Sequence, residues 1–340
     1  MRYRDAGVDI AKADATLSGL KAVIRSTFTP HVKGDVGHFA GLCELPGAGP
    51  DAPLIAASTD GVGTKILIAR DTRRWASAAG DLVRHCVNDI LVLGARPLFF
   101  LDYFACGALE PIVLEESVRG IAEACRADGV ALLGGETAEM PDLYPPGDYD
   151  LAGTIVGFVA RDRVLDGRAI RPGDELWALP SLGLHTNGYS LARGIVARAG
   201  LGWNDPLPGA TGSVADLLLA PHRSYLSALW PLLERGALHG LAHVTGGGIA
   251  GNLVRALPEG VGARVERGSW TWPPLFRALQ ALGDVPADEM EHVLNLGVGM
   301  VLVVAPADAA AVRADLEARG ERPWRLGTVH AGPREVVLVD

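Results

Sequence analysis

Ser58-Thr59-Asp60-Gly61-Val62-Gly63-Thr64-Lys65 gathers a carboxylate, two glycines, hydroxyls and a lysine into one short turn. The apolar run Pro53 to Ala57 before it reads as a strand, so the turn belongs at a strand's end. Glycines let backbone N–H groups approach phosphate oxygens, a lysine adds a point charge, and Asp60 suits a divalent cation. The spacing is neither that of a Walker loop nor that of a Gly-x-Gly-x-x-Gly dinucleotide fold. Taken alone, an Asp-Gly turn between two strands fits these residues equally well.

Three further segments carry related chemistry. Ala79 to Gly94 has helical periodicity, with Leu82, Val83, Cys86, Val87, Ile90 and Leu91 on an apolar side and Gly94 as its stop. Asp81, His85, Asn88 and Asp89 fall along its polar stripe. Asp89 lies in the last turn, where the helix dipole disfavours a carboxylate and a cation would relieve the cost; a plain surface stripe fits the pattern too. Gly134-Gly135-Glu136-Thr137-Ala138-Glu139-Met140-Pro141 follows the strand-like run Val130 to Leu133, as a second acidic glycine turn or an ordinary strand exit. Thr245-Gly246-Gly247-Gly248-Ile249 opens an amphipathic helix, where exposed N–H groups suit a phosphate and a flexible connector would look alike. Bare carboxylates beside a triphosphate would repel it by about 4 kcal/mol per charge pair at 4 Å, so acids and phosphate loops together imply magnesium. Asp60, Asp89 and Glu136 are the candidate ligands.

The chain of 340 residues is long enough for two domains, and 49% hydrophobic with 21% charged residues fits a globular protein. Its 43 glycines collect in loops without a collagen-like period. A formal charge of −9 without a basic cluster argues against nucleic acid as a partner. Cys43, Cys86, Cys106 and Cys125 form no C-x-x-C pair, Met1 to Ile10 has no apolar signal region, and the apolar run Leu296 to Ala307 is too short to span a bilayer. A cytoplasmic protein without a membrane span is expected.

Strand and helix patterns alternate throughout, giving an α/β or α+β class. A first helix is predicted from about Ala11 to Phe28, capped by Asp9 and carrying Lys21 near its middle. The charged stretch Arg161 to Asp174 reads as a linker, dividing the chain into domains 1–165 and 166–340. His185, in the polar loop Gly183-Leu184-His185-Thr186-Asn187-Gly188-Tyr189-Ser190, is a proton donor, a phosphate contact or a solvent-facing side chain. His239 and His243 lack the glutamate of a zinc protease and read as structural; no serine or cysteine has nucleophile surroundings.

Together these segments resemble the phosphoribosylformylglycinamidine cyclo-ligase family, also called aminoimidazole ribonucleotide synthetases. The resemblance spans nearly the whole chain: Tyr3 to Ile10, the Thr59 to Lys65 turn, Cys86-Val87-Asn88-Asp89, Pro97 to Tyr103, Gly134 to Pro141, His185 to Leu191, Thr245 to Gly248 and Asn295 to Met300. It implies a ligase that uses ATP and Mg2+ to close formylglycinamidine ribonucleotide into aminoimidazole ribonucleotide, releasing ADP and phosphate, in purine biosynthesis. It implies two domains: an N-terminal mixed or antiparallel sheet that pairs with its twin in a homodimeric barrel and binds ATP, and a C-terminal mixed sheet flanked by helices that takes the substrate phosphate. By motif match, Asp60, Asp89 and Glu136 would hold magnesium, with Lys21, Gly61, Gly63, Thr64, Lys65, Gly134, Gly135 and Thr137 around the nucleotide. His185, Asn187 and Ser190 would face the substrate, Gly246, Gly247 and Gly248 would take its phosphate, and His185, Asp60 and Lys65 would carry catalysis. The Gly-rich loop Gly34 to Gly41 departs from the family in having Ala40 where glycine is usual. A small-molecule kinase of the same superfamily and a non-catalytic nucleotide-binding protein are the alternatives; the second would be expected to lose an acidic ligand or His185, and all are present.

Overall fold

A computed structural model describes residues 1–340, apart from the side chain of Asp14. The N-terminal half builds a six-stranded sheet from β1 (Val32–Lys33), β2 (Gly41–Glu44), β3 (Leu54–Gly61), β4 (Arg96–Cys106), β5 (Ala131–Glu139) and β6 (Tyr149–Val159), in the order β1-β2-β3-β6-β4-β5. Neighbours run antiparallel except the parallel pair β4 and β5, as an intervening helix requires. The C-terminal half repeats the plan with β7 (Glu175–Pro180), β8 (Gly240–His243), β9 (Val261–Glu266), β10 (Val298–Val304), β11 (Trp324–Ala331) and β12 (Val336–Val339), ordered β12-β9-β11-β7-β10-β8. The expected two-domain mixed α/β architecture is thus present.

The helices in chain order are α1 (Ile10–Arg25), α2 (Lys65–Thr72), α3 (Trp75–Leu91), α4 (Pro111–Ala127), α5 (Tyr189–Arg198) and α6 (Val214–Leu218). They continue with α7 (Leu226–Glu234), α8 (Gly248–Ala256), α9 (Pro274–Gly283), α10 (Ala287–Val293) and α11 (Ala309–Ala318). Asp9 caps α1 as predicted, its carboxylate accepting the Lys12 N–H at 2.9 Å. Among the described residues no helix is long and apolar enough to cross a membrane.

Alternation decides how β6 lies. Tyr149, Leu151, Gly153, Ile155, Gly157 and Val159 all point into the core. Gly153 has to lack a side chain, since a Cβ there would stand 2.0 Å from the Phe100 ring on β4. Under the sheet lies α3, and it is not the half-exposed helix its stripe suggested. Asp81, His85, Asn88 and Asp89 are all buried beside its apolar residues. Helix α4 crosses α3 at close range because Gly120 lets it: an added Cβ would meet the Ala76 carbonyl oxygen at 2.1 Å.

The polar stripe is covered because the two halves share one core. Ile90, Phe100 and Ile155 from the first half pack in the same cluster as Tyr189, Ile195, Phe276 and Leu294 from the second. The second sheet has its own core around β10, whose seven residues are all buried. The polar face of α3 therefore looks across the seam at the loops of the other half.

Candidate active site

Asp60 is the penultimate residue of β3, and Asp89 lies in the last turn of α3. Their carboxylates converge on His85, whose Nε2 is 2.6 Å from Asp60 Oδ2 and 3.7 Å from Asp89 Oδ2. Burial opposes a charge on His85, but Asp89 and Asp60 outweigh it and lift its pKa to about 9. The imidazolium therefore stands as a cation between two carboxylates. Burial likewise pushes Asp60 up, while the His85 charge, their hydrogen bond and the Gly61 N–H bring it below the usual carboxylate value.

Behind these acids sits a cluster of histidines from four different elements or loops. His85 Nδ1 bonds Thr186 Oγ1 at 2.5 Å, and Thr186 Oγ1 lies 3.4 Å from His222 Nδ1. His222 Nε2 is 3.1 Å from His243 Nε2, and His243 Nδ1–H donates to Asp89 Oδ1 at 2.8 Å. His185 stacks on His222 with ring centroids 4.0 Å apart. Burial, reinforced by the neighbouring positive groups, holds His185 and His222 well below the ordinary imidazole value, and burial lowers His243 despite Asp89. One charged and three neutral imidazoles result.

The structure joins several of the expected residues. Gly63, at φ +69°, makes the turn into α2, and Thr64 Oγ1 reaches Ser190 Oγ at 3.2 Å. The turn after β3 therefore touches the loop before α5. Asn187 in that loop lies against Gly246, where a Cβ would be 3.2 Å from its Oδ1. Gly247 and Gly248 both have positive φ at the start of α8, and Gly248 lets the helix pass close to the Glu291 carbonyl. Beside Ser58 and Thr59 of β3, the Gly34 to Leu42 loop encloses a cavity of about 410 Å³.

Other expectations need correction. Lys65 is not a side chain presented to a nucleotide. It is fully buried, with Nζ 2.5 Å from Asp81 Oδ2 and donating to the carbonyls of His185 at 3.0 Å and Ala220 at 2.9 Å. It clamps the His185 loop to α3, and Asp81 takes part by accepting the His222 N–H at 2.7 Å. His185 is fully buried and left-handed at φ +61°, facing neither solvent nor an open substrate space.

Glu136, Gly134, Gly135 and Thr137 are not in a turn but in the middle of β5. Asp60 pairs with Gly153, Gly153 with Asp102, and Asp102 with Gly135, so three strand spacings, on the order of 14 Å along the sheet, separate Glu136 from Asp60. Glu136 cannot share a metal with Asp60 inside one chain. Gly135 is explained by packing, since a Cβ would meet Asp102 Oδ1 at 2.3 Å and the Asp102 carbonyl at 2.4 Å. Lys21 lies on α1, whose Leu17, Leu20 and Val23 are exposed, and its charge acts with that of Arg25 on Asp35 of the Gly-rich loop.

Sequence reasoning missed the other side of the cluster. His222 stands outside every recognised motif, and His243 read as structural beside His239. His239 instead pairs with Asp174 at 2.7 Å, while His243 closes β8 at the site. Arg255 also escaped notice. On α8, it donates to the Gly37 carbonyl at 3.1 Å, and its guanidinium lies 3.7 Å above the Phe39 ring. It fastens the second half to the Gly-rich loop of the first. Only the stripe on α3 carried a usable signal.

Both halves match family models: residues 49–159 match the N-terminal domain of AIR synthase related proteins, and residues 171–340 match their C-terminal domain. A phosphoribosylformylglycinamidine cyclo-ligase of Sorangium cellulosum is 48% identical over 330 residues, covering 96% of this chain and 94% of the relative. Another protein of that name, from Nitratidesulfovibrio vulgaris, is 46% identical over 327 residues, covering 96% and 93%. Among solved structures, a protein from Thermus thermophilus superposes with a TM-score of 0.63 at 25% identity, covering 96% of this chain and 95% of the other. With near-complete reciprocal coverage and both domains in place, the chain belongs to the phosphoribosylformylglycinamidine cyclo-ligase family, ATP-dependent ligases of purine biosynthesis.

Proposed function

We propose that this chain closes the imidazole ring of aminoimidazole ribonucleotide from formylglycinamidine ribonucleotide, with ATP converted to ADP and phosphate, and that Asp60 and Asp89 hold the magnesium ion it uses. The observation that supports the metal assignment is geometric: the Asp60 and Asp89 carboxylates, from different elements, converge at the seam, their oxygens 2.6 Å and 3.7 Å from the same His85 nitrogen. Carboxylate oxygens are the ligands magnesium prefers, and one or two of them with substrate phosphates complete its usual shell. Magnesium would neutralise phosphate charge during phosphoryl transfer.

In this reading the formyl oxygen is phosphorylated, which makes it a leaving group, and a nitrogen of the same molecule attacks the formyl carbon. The chain's part is to hold the two ends in register. The cavity along Gly34 to Leu42 has a volume suited to a nucleotide, and Ser58 and Thr59 on its wall lead directly to Asp60. Gly63, Thr64, Asn187 and Ser190 line the junction between the halves, and the N-terminus of α8 at Gly246 to Gly248 offers N–H groups to the substrate phosphate. Lys65 and Asp81 act from behind by fixing the His185 loop.

The proposal includes a homodimer in the cytoplasm and a functional division at residues 165 and 166, where the charged turns separate the sheets. Its dimer support is the exposed apolar strip formed by Leu98, Leu101 and Leu133 on β4 and β5. The test is ADP release by purified protein with magnesium-ATP, with and without formylglycinamidine ribonucleotide, while aminoimidazole ribonucleotide is assayed in parallel. Product formed in step with ADP is expected. ATP turnover or binding without that product would overturn the substrate assignment and leave the nucleotide site standing.

A further inference from the structure

The histidine cluster behind Asp60 and Asp89 contains more nitrogen donors than its hydrogen bonds use. Asp89 can only accept, so the 2.8 Å contact places the proton of His243 on Nδ1. Its Nε2 lone pair then points at His222. The Asn88 amide is fixed by its other partners, because its Oδ1 accepts the Tyr225 N–H at 3.0 Å and its Nδ2 donates to the Arg223 carbonyl at 2.8 Å. The remaining Asn88 N–H is directed at His222 Nε2, 3.2 Å away, so that nitrogen also presents a lone pair. Two unprotonated imidazole nitrogens therefore face each other at 3.1 Å in a fully enclosed place, with only the 3.2 Å Asn88 contact to satisfy either of them. Next to them His185 is completely buried, and neither of its ring nitrogens has a hydrogen-bond partner.

A cation would resolve this arrangement. Nitrogens bound tetrahedrally to one zinc ion at about 2.0–2.1 Å stand roughly 3.3–3.4 Å apart, close to the observed separation. One donor nitrogen from each of His185, His222 and His243 lies within 4.8 Å of the others, so small side-chain adjustments suffice. Asp89 on His243 Nδ1 is the outer carboxylate that orients a metal-binding imidazole. We propose that His185, His222 and His243 form a binding site for a borderline divalent transition ion of the zinc class, separate from the oxygen-ligand site at Asp60 and Asp89. Imidazole nitrogens select such an ion over magnesium. The ion would displace one long contact, from Asn88 to His222, and would tie the His185 loop, the segment before α7 and the end of β8 into one wall. None of this depends on which reaction the chain catalyses.

The test uses the full chain, stripped with a chelator and titrated with Co2+. Saturation at one equivalent is expected, with intense visible bands of a four-coordinate site holding three imidazole nitrogens and one further ligand, reversed by Zn2+ and unaffected by millimolar Mg2+. His222→Leu should lose the bands, while His239→Ala, outside the cluster, should keep them. Asp60→Asn should also keep them, which separates this site from the magnesium site. Absence of stoichiometric uptake, or full uptake by His222→Leu, would overturn the proposal. Should that variant fail to fold, zinc-edge X-ray absorption on the unaltered protein decides: about three nitrogens near 2.0 Å support the site, and an oxygen-only shell sinks it.

Discussion

His85 illustrates how a single side chain can take its chemistry from its neighbours. Its pKa rises from 6.5 unfolded to about 9 folded, so the stability it contributes is complete below pH 6.5 and fades as pH climbs through 9. The other three histidines are lowered, and their contributions are fully established once pH exceeds 6.5. Between pH 6.5 and 9, in magnesium-free buffer, calorimetry should show a falling Tm that comes from His85 among the clustered histidines. Asp60→Asn should end that fall at lower pH and make it smaller; an unchanged profile would mean that Asp60 does not hold the imidazolium. Lys65 makes the companion case. Breaking a buried pair strands a charge, so Lys65→Met should cost about 3–5 kcal/mol in urea unfolding, with Lys65→Met/Asp81→Leu recovering part of it. A variant of normal stability with only a raised KM for ATP would return Lys65 to the nucleotide.

At the scale of elements, β5 differs most from its expected form. The Gly134 to Glu139 segment reads as a turn because glycines and acids punctuate it, yet it continues a strand, paired in parallel with β4 through Glu139. Gly135 is the residue that permits this, by leaving room for Asp102. Gly135→Ala should therefore destabilise the first sheet by about 1–3 kcal/mol through overpacking. Equilibrium unfolding measures that directly, and unchanged stability with weakened ATP binding would restore a phosphate-contact role. The contrast with Gly63 is instructive: it does sit in a turn, at positive φ, and it leads straight into α2.

For the whole molecule, the position of Glu136 carries the sharpest consequence. Strand β5 is the edge of its sheet, and its residues are exposed on both faces over much of its length. Glu136 can approach a carboxylate pair like Asp60 and Asp89 only if a second copy brings its own β5 to this seam. Asp60→Asn and Glu136→Gln should each be inactive alone. Their coexpressed mixture should regain up to about half the activity in heterodimers, because one composite site is then intact. No recovery in isolated heterodimers would place Glu136 outside the site.

Local chemistry made much of this protein legible. The cap at Asp9, the turn at Gly63, the helix over α3 and the glycines opening α8 follow from backbone preferences and periodicity that act over a few residues. The motifs carried the family. What the sequence left open was which polar groups are enclosed. Lys65 reads as a phosphate contact until Asp81 and two carbonyls, from residues 16, 120 and 155 positions away, surround it. His222 and His243 gain meaning only when the second half closes over α3 and strips them of water. Burial and the charges that face it are properties of contacts distant in the chain, so tertiary structure alone decided which acids converge on His85, which lysine is a strut and which histidines meet.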